Sequence, residues 1–479
     1  MLVIDSQIIT SLMKTLLLAF TLAFLPSTFL QAQLNGKIKI YFSTPINTSV
    51  SSGTNAIYLN NSMDDTLVAY INRSKYTLDI AVYNYQQTSG MADIATAVNN
   101  ATARGVVVRW IYDASQSNSG MIPLVSSVNT FGSPTTSAYG IMHNKFMIID
   151  ANSINVNDPI VWTGSANWTK THFNSNVNNT IIIQDKALAQ AYLAEFNEMW
   201  GDVGITPSIA NSKFGPFKSD NTIHNFTIGG SLIELYFSPT DGTNTKVLNT
   251  IQHADSDLFF GMLAFSLDSN SDSIINKKNQ GINVTGIIDQ SSMIYSPYTP
   301  LTSSLGANFQ VYSSFTSVYH SKILITDPCT LSSDPTVITG SYNWTTPAET
   351  QNDENELIIH NDTIANIFYQ SFYQNFIDVG GTILPCNLVN INETQDYYSL
   401  SIFPNPFTHS TTIELNRNLN NATLSIYNTL GKLIKQTGYI NGKSINLSRD
   451  ELPSGVYFIH LIEQNNTLAV KKLIIADSE

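Results

Sequence analysis

The chain has 479 residues, 43% of them hydrophobic and 12% charged, with a formal net charge of −13. That length predicts two or three globular domains. The acidic balance weighs against tight, nonspecific binding of nucleic acid, which rests on a basic surface.

Residues 1–32 read as a secretory signal peptide: Lys14 precedes an apolar run over 16–25, and Ala32 is a cleavage position before Gln33. Met13 is a better start for this signal than Met1. The run is short for a membrane span, and no other stretch is long and apolar enough to anchor the chain. Residues 33–201 form a first lobe, with strands expected at KIKIYFS (37–43), LDIAVYNY (78–85) and GVVVRWIYD (105–113), and helices over 63–73 and 91–104. A second lobe, 231–386, repeats the pattern with LIELYFS (232–238) and GINVTGIID (281–289). Each lobe closes with an apolar strand and a helix, at 180–183 and 188–200, then at 357–359 and 364–376. Residues 202–230, rich in Gly, Ser, Asn and Pro, read as the linker between them. Strands alternating with helices predict an α/β class, and a repeat of this size predicts two like domains. After a second linker, 387–399, residues 400–479 carry SIFPNPF and the short strands TTIEL, TLSIYN, GKLIKQ, GVYFIHLI and KKLII. Their spacing predicts a small β-sandwich.

The chemistry is concentrated in a stretch that occurs twice. YGIMHNKFMIID followed by WTGSANWT supplies His143, Lys145, Asp150, Ser165 and Asn167. VYHSKILITD followed by ITGSYNWT supplies His320, Lys322, Asp327, Ser341 and Asn343. Each H-x-K leads an apolar run expected as a buried strand, on which His and Lys share a face. Imidazole, ammonium, hydroxyl and carboxamide then converge. A cation with neutral donors suits phosphate, and His serves as nucleophile or general acid and base near neutral pH. A lone H-x-K is chance-level; a doubled one, trailed both times by G-S-x-N-W-T, is not.

These residues resemble the phospholipase D superfamily, whose signature is H-x-K-x4-D with a trailing G-S-x-N; the resemblance covers roughly residues 37–385. It implies two lobes of mixed sheet flanked by helices, packed about a pseudo-two-fold axis with both H-x-K motifs in one site. One His would form a covalent phosphohistidine while the other protonates the leaving alcohol and then activates water. Lys145, Lys322, Asn167 and Asn343 would hold the non-bridging oxygens, with Ser165 and Ser341 assisting; Asp150 and Asp327 would be structural. The copies differ downstream. TPAETQNDENE in the second resembles the superfamily's small bacterial endonucleases, in which a Glu orients a catalytic His, and Glu354 matches that Glu. The position 176 residues earlier is Asn178. In fused relatives the orienting group reaches across lobes, so Glu354 would bond His143 and Asn178 would bond His320.

The motif implies phosphodiester chemistry and leaves the leaving group open. A secreted phospholipase D is favoured by the acidic chain and by apolar loop residues such as Met121, Ile122, Met293 and Tyr295. The alternatives are a secreted, metal-independent endonuclease and a non-catalytic surface module. No cofactor or metal is expected: H-E-x-x-H and C-x-x-C are absent, and the acidic cluster at 268–272 reads as a solvated loop. The remaining histidines, His172 among them, have no counterpart in the repeat and read as surface or structural. The C-terminal strands, through Pro404-Asn405-Pro406, Gly455-Val456-Tyr457 and Lys471-Lys472, resemble the sorting domain of type IX secretion in Bacteroidetes. That resemblance implies a partner in the secretion machinery and delivery through the periplasm to the surface or medium. The chain is expected to be a monomer with its site between the two lobes. Cys329 and Cys386 are the only cysteines; in an exported chain an even count suggests a disulfide, with two free thiols the alternative.

Overall fold

The computed structural model describes residues 36–382 and 400–477, except 137, 314, 331–332, 429–431, 451 and 464–465. The expected signal peptide, the 387–399 linker and Cys386 lie outside the described residues; Cys329 is disulfide-bonded. The chain divides after residue 386 into two compact units.

The first lobe of unit one contains β1 (Ile38–Phe42), β2 (Thr77–Val82), β3 (Tyr85–Gln86), β4 (Val107–Tyr112), β5 (Asn129–Gly132), β6 (Lys145–Ile149), β7 (Ile160–Gly164), β8 (Trp168–Thr169) and β9 (Asn179–Ile183). Seven of these form a sheet in the order β1-β9-β7-β6-β2-β4-β5, while β3 pairs with β8. The second lobe contains β10 (Asn225–Ile228), β11 (Ser231–Ser238), β12 (Asp257–Met262), β13 (Asn283–Asp289), β14 (Phe309–Tyr312), β15 (Lys322–Thr326), β16 (Thr336–Gly340) and β17 (Glu354–His360). Its order, β10-β11-β17-β16-β15-β12-β13-β14, repeats the first sheet strand for strand and adds β10 at one edge. In both sheets the pairs from β2 to β5 and from β12 to β14, at the edge opposite β10, are parallel and the others antiparallel.

Both sheets are covered on both faces, which is why their strands read as near-continuous apolar runs. Alternation along each strand divides the side chains between two cores. Ile38, Ile40, Phe42, Phe146 and Ile148 enter a core shared with Ile233, Leu235, Phe237, Ile323 and Ile325 of the other lobe. Tyr41, Met147 and Ile149 face the first lobe's outer helices, Met63–Ile71 and Ile94–Ala103. The second lobe has its own outer core beneath Thr243–Gln252, Asp268–Asn279 and Tyr298–Leu305. Helices Lys186–Trp200 and Asp362–Asp378 supply the shared core between the sheets. Asp185 and Asn361 cap them, accepting the amides of Leu188 and Ile364.

Three expectations need correction within this unit. The 268–272 cluster is helical rather than a loop. The 202–230 segment contains strand β10 and sends Lys218 into the interior. Strand β17 starts at Glu354, three residues earlier than its apolar run, because antiparallel pairing with β11 continues out to Ser238.

Unit two contains β18 (Leu400–Phe403), β19 (Ser410–Asn428), β20 (Leu433–Ser448), β21 (Gly455–Glu463) and β22 (Asn466–Ile475). TTIEL and TLSIYN belong to the single strand β19, whose ladder to β20 is interrupted by register shifts between Glu414 and Leu424. Such irregularities bend a sheet. The first half of β19 pairs with β18 and the second half with β21, so one curled sheet encloses Ile413, Leu424, Ile459 and Leu473. Asn405 ties the PNP segment to β22, donating to Lys472 O (3.0 Å) and accepting from Ile474 N (2.8 Å).

Candidate active site

Each H-x-K stands where β6 or β15 begins, and the residue ahead of the strand is held by the opposite lobe. The His143 amide donates to Asp353 O (2.9 Å), and the His320 amide donates to Val177 O (3.0 Å). The rings are exchanged in the same way. His143 Nδ1 bonds Glu354 Oε2 at 2.6 Å, and His320 Nδ1 bonds Asn178 Oδ1 at 3.0 Å. These are the two cross-lobe pairs expected from the sequence. Histidine orientation thus comes from the partner lobe rather than from alternation along its own strand.

The serines act one step back. Ser165 Oγ donates to Asn178 Oδ1 (2.9 Å), and Ser341 hydrogen-bonds Glu354. They fix the groups that fix the histidines. Gly164 (φ +144°) and Gly340 (φ +157°) precede them where a Cβ would collide with the carbonyls of Asn179 and Asn355, so G-S follows from the close approach of β9 and β17. Asp150 accepts the amides of Lys75, Tyr76 and Thr77 at 2.9, 2.7 and 2.8 Å, and Asp327 those of Asp255, Ser256 and Asp257 at 2.9, 2.8 and 2.9 Å. Both carboxylates therefore tie β6 and β15 to the start of β2 and β12.

Lys145 and Lys322 are buried, and each donates to the carbonyl of its own motif's histidine. Burial pushes Lys145 down to about 7 against the opposing pull of Glu354 and Asp113. Lys322 falls well below its usual value through burial and the charge of Lys145. Burial alone would raise Glu354, but His143, Lys145 and Ser341 outweigh it and keep it ionised. Burial and the two lysines hold His143 low, opposed by Glu354. An ionised carboxylate facing a neutral imidazole fixes the proton on Nδ1 and leaves the Nε2 lone pair free. His320 is driven further down, by burial, Lys322, His172 and Lys145. The carboxamide oxygens of Asn167 and Asn343 are buried without a partner. Burial disfavours the charged form of both lysines, and an anion set between them restores it, which makes the pocket a place for an anion.

Three contributors escaped the sequence reading. His172, on helix Lys170–Asn174, packs its ring edge-on against His320 with centroids 4.3 Å apart, and so belongs to the site rather than the surface. Adjacency to G-S-x-N-W-T was its only signal. Tyr83 lies over Lys145 (5.2 Å) and against His143 (5.0 Å). Lys218 bonds both Glu195 and Asp353 from the linker. Among the described residues, the one His/carboxylate group with ligand-like spacing is Asp220, His224 and Asp241, none of them in this pocket.

Residues 67–200 and 247–376, more than half of the chain, match the family described as cardiolipin synthase, PLD-like domain. The chain belongs to the phospholipase D-like family. Its two lobes are the two halves of that match, and residues 401–476 match the secretion system C-terminal sorting domain, which indicates export or a cell-surface location. A mitochondrial cardiolipin hydrolase of Drosophila melanogaster is 31% identical over 150 residues, 28% of this chain and 57% of the relative. A phospholipase D of Rickettsia prowazekii (strain Madrid E) is 40% identical over 114 residues, 23% of this chain and 51% of the relative. The phospholipase D-like chain thus spans about half the length of these curated relatives. Phosphatidylserine synthase of Haemophilus influenzae Rd KW20 aligns with a TM-score of 0.49 and 14% identity, over 68% of this chain and 86% of that one.

Proposed function

We propose that the protein is an exported phosphodiesterase that hydrolyses phospholipids, releasing the head group and phosphatidic acid. The observation that carries this is the pair of exchanged histidines, His143 on Glu354 and His320 on Asn178, standing over two buried lysines. The free Nε2 of His143 attacks phosphorus, and the bond to the leaving oxygen breaks as that oxygen takes a proton from His320. Water then attacks the phosphohistidine, His320 takes its proton, and the P–N bond breaks. Glu354 stabilises the cationic ring of the intermediate, as a carboxylate does for an imidazolium. The amide of Asn178 orients His320 without charge. The negative phosphodiester favours the charged form of the groups around it, lifting His320 into the range where it carries a proton when substrate is bound. Lys145, Lys322, Asn167 and Asn343 hold the non-bridging oxygens.

Lipid as substrate is supported by the names of the relatives, by the −13 charge of the chain, and by two apolar loops. One leaves β4 at Asp113, whose carboxylate accepts the Met142 amide beside His143; the other leaves β13 at Asp289, which accepts the Tyr319 amide beside His320. Ile122 and Ile294 on these loops are 82% and 81% exposed. An open groove of about 560 Å³ runs along the first loop past Met121, Ile122, Leu124 and Val125.

Residues 33–201 and 231–386 are the catalytic lobes of a monomer, and residues 400–479 pass the chain through type IX secretion after removal of residues 1–32. Purified protein offered phosphatidylcholine, cardiolipin, and single- and double-stranded DNA in the presence of EDTA tests the reading. Head-group release from either lipid is expected; cleavage of DNA alone would replace the lipid substrate with nucleic acid.

A further inference from the structure

The pocket contains three histidines, and the reaction above uses two. His172 departs from the repeat: the residue 176 positions later is Ala348. Its ring contact is with His320, on the side of the pocket where the partner is an amide. The amide itself ties His172 to the site, since Asn178 Nδ2 donates to His172 O at 3.0 Å. Helix Lys170–Asn174 and the His320 partner are thus one assembly. His172 Nε2 lies 3.5 Å from Asn167 Nδ2, while its Nδ1 is buried with no partner. Buried polar nitrogens are rarely left unpaired unless something else is to occupy the space. Burial, Lys322 and Lys145 hold the ring down to about 3. It stays neutral, able to exchange a hydrogen bond without taking up the proton that His320 must receive.

The leaving oxygen departs and the attacking water arrives on the same side of phosphorus, both next to His320. A neutral nitrogen beside that ring meets whichever oxygen is there. Water, small and without apolar surface, depends on hydrogen bonds for its placement in a way the tethered leaving group does not.

We propose that His172 is a positioning residue for the second half of the reaction, holding the attacking water against His320. This rests on the phosphohistidine reading of the site. In the step concerned, a P–O bond forms to water, the P–N bond to His143 breaks, and the proton of the water passes to His320; His172 keeps its protons throughout.

The experiment uses the full-length protein with bis(p-nitrophenyl) phosphate, whose leaving group needs no proton. His172→Phe keeps the ring packed on His320 and removes both nitrogens; His172→Gln restores a neutral hydrogen-bonding group. In His172→Phe the first burst of p-nitrophenol is expected within about threefold of wild type, with steady turnover down about tenfold and acid-labile phosphoryl adduct accumulating on His143. His172→Gln should recover most of the turnover. If burst and turnover fall by the same factor in His172→Phe, or neither changes, His172 does not place the water and the inference is overturned. If wild-type protein forms no adduct and turns over no diester, the underlying reading of the site falls, and this inference with it.

Discussion

Replacing Lys218 by Met tests whether the linker is part of the catalytic architecture. The Lys218 side chain is fully buried; its ammonium pairs with Glu195 and, at 3.0 Å, with Asp353, and donates to Ser238 O at 3.1 Å. Burial alone would lower its pKa, but the two carboxylates outweigh that and hold it above its usual value. Asp353 also accepts from Tyr139 OH and Gly215 N, while its backbone carbonyl takes the His143 amide. Losing one member of a buried ion pair costs about 3–5 kcal/mol. Here one ammonium serves two carboxylates, which puts the expected loss at the upper end when both are ionised. Glu195 is already pushed up to about 7 by burial against Lys218, and Asp353 is raised by burial too. Without the ammonium both move higher. An acid raised in the folded state gives stability that is complete below its unfolded pKa and lost as pH rises through the folded one. The deficit of Lys218→Met should therefore be small near pH 5 and reach about 4–5 kcal/mol above pH 8. Urea unfolding followed by tryptophan fluorescence at both pH values measures it. A loss under about 1 kcal/mol at the higher pH, or an equal loss at both, would refute the reasoning.

Glu354→Gln should cut turnover by about a hundredfold or more and move the acid limb of the kcat/KM profile to lower pH, because the charge that raises His143 is gone; an unmoved limb would count against the pairing. Glu356 is buried with one oxygen unpartnered, and burial, Glu349 and Glu354 raise it well above the usual carboxylate range. Its contribution is lost as pH rises through that folded value, so Glu356→Gln should gain stability relative to wild type with increasing pH, and denaturation curves that stay parallel from pH 6 to pH 9 would exclude this. Ending the chain after residue 386, where the two units divide, should leave soluble, active lobes trapped in the periplasm; an insoluble product would make the curled sheet part of the catalytic fold.

The repeat made the site legible. Two H-x-K segments 177 residues apart and two G-S-x-N segments 176 apart point to the histidines, and the latter offset, counted back from Glu354, points to Asn178. The same reliance on the repeat hid His172, whose value lies in having no counterpart. Lys218 was invisible for another reason: it sits in a segment with loop composition, and its partners at Glu195 and Asp353 are distant in sequence. In the C-terminal unit the run between TTIEL and TLSIYN, rich in Asn, reads as a turn. The backbone instead passes through it with shifts of register, which cost less than ending a strand whose far half has its own partner in β21.

The exchange of partners between lobes bears on how such a site could become unequal. Two copies of a single lobe would bring the same residue to both histidines, so a substitution at one position would appear at both. With the lobes in tandem, position 354 can keep a carboxylate while position 178 carries an amide. The same reach across the interface means that neither half contains a finished site. Separately produced halves should each be silent, and mixing them should restore turnover only as far as they find one another.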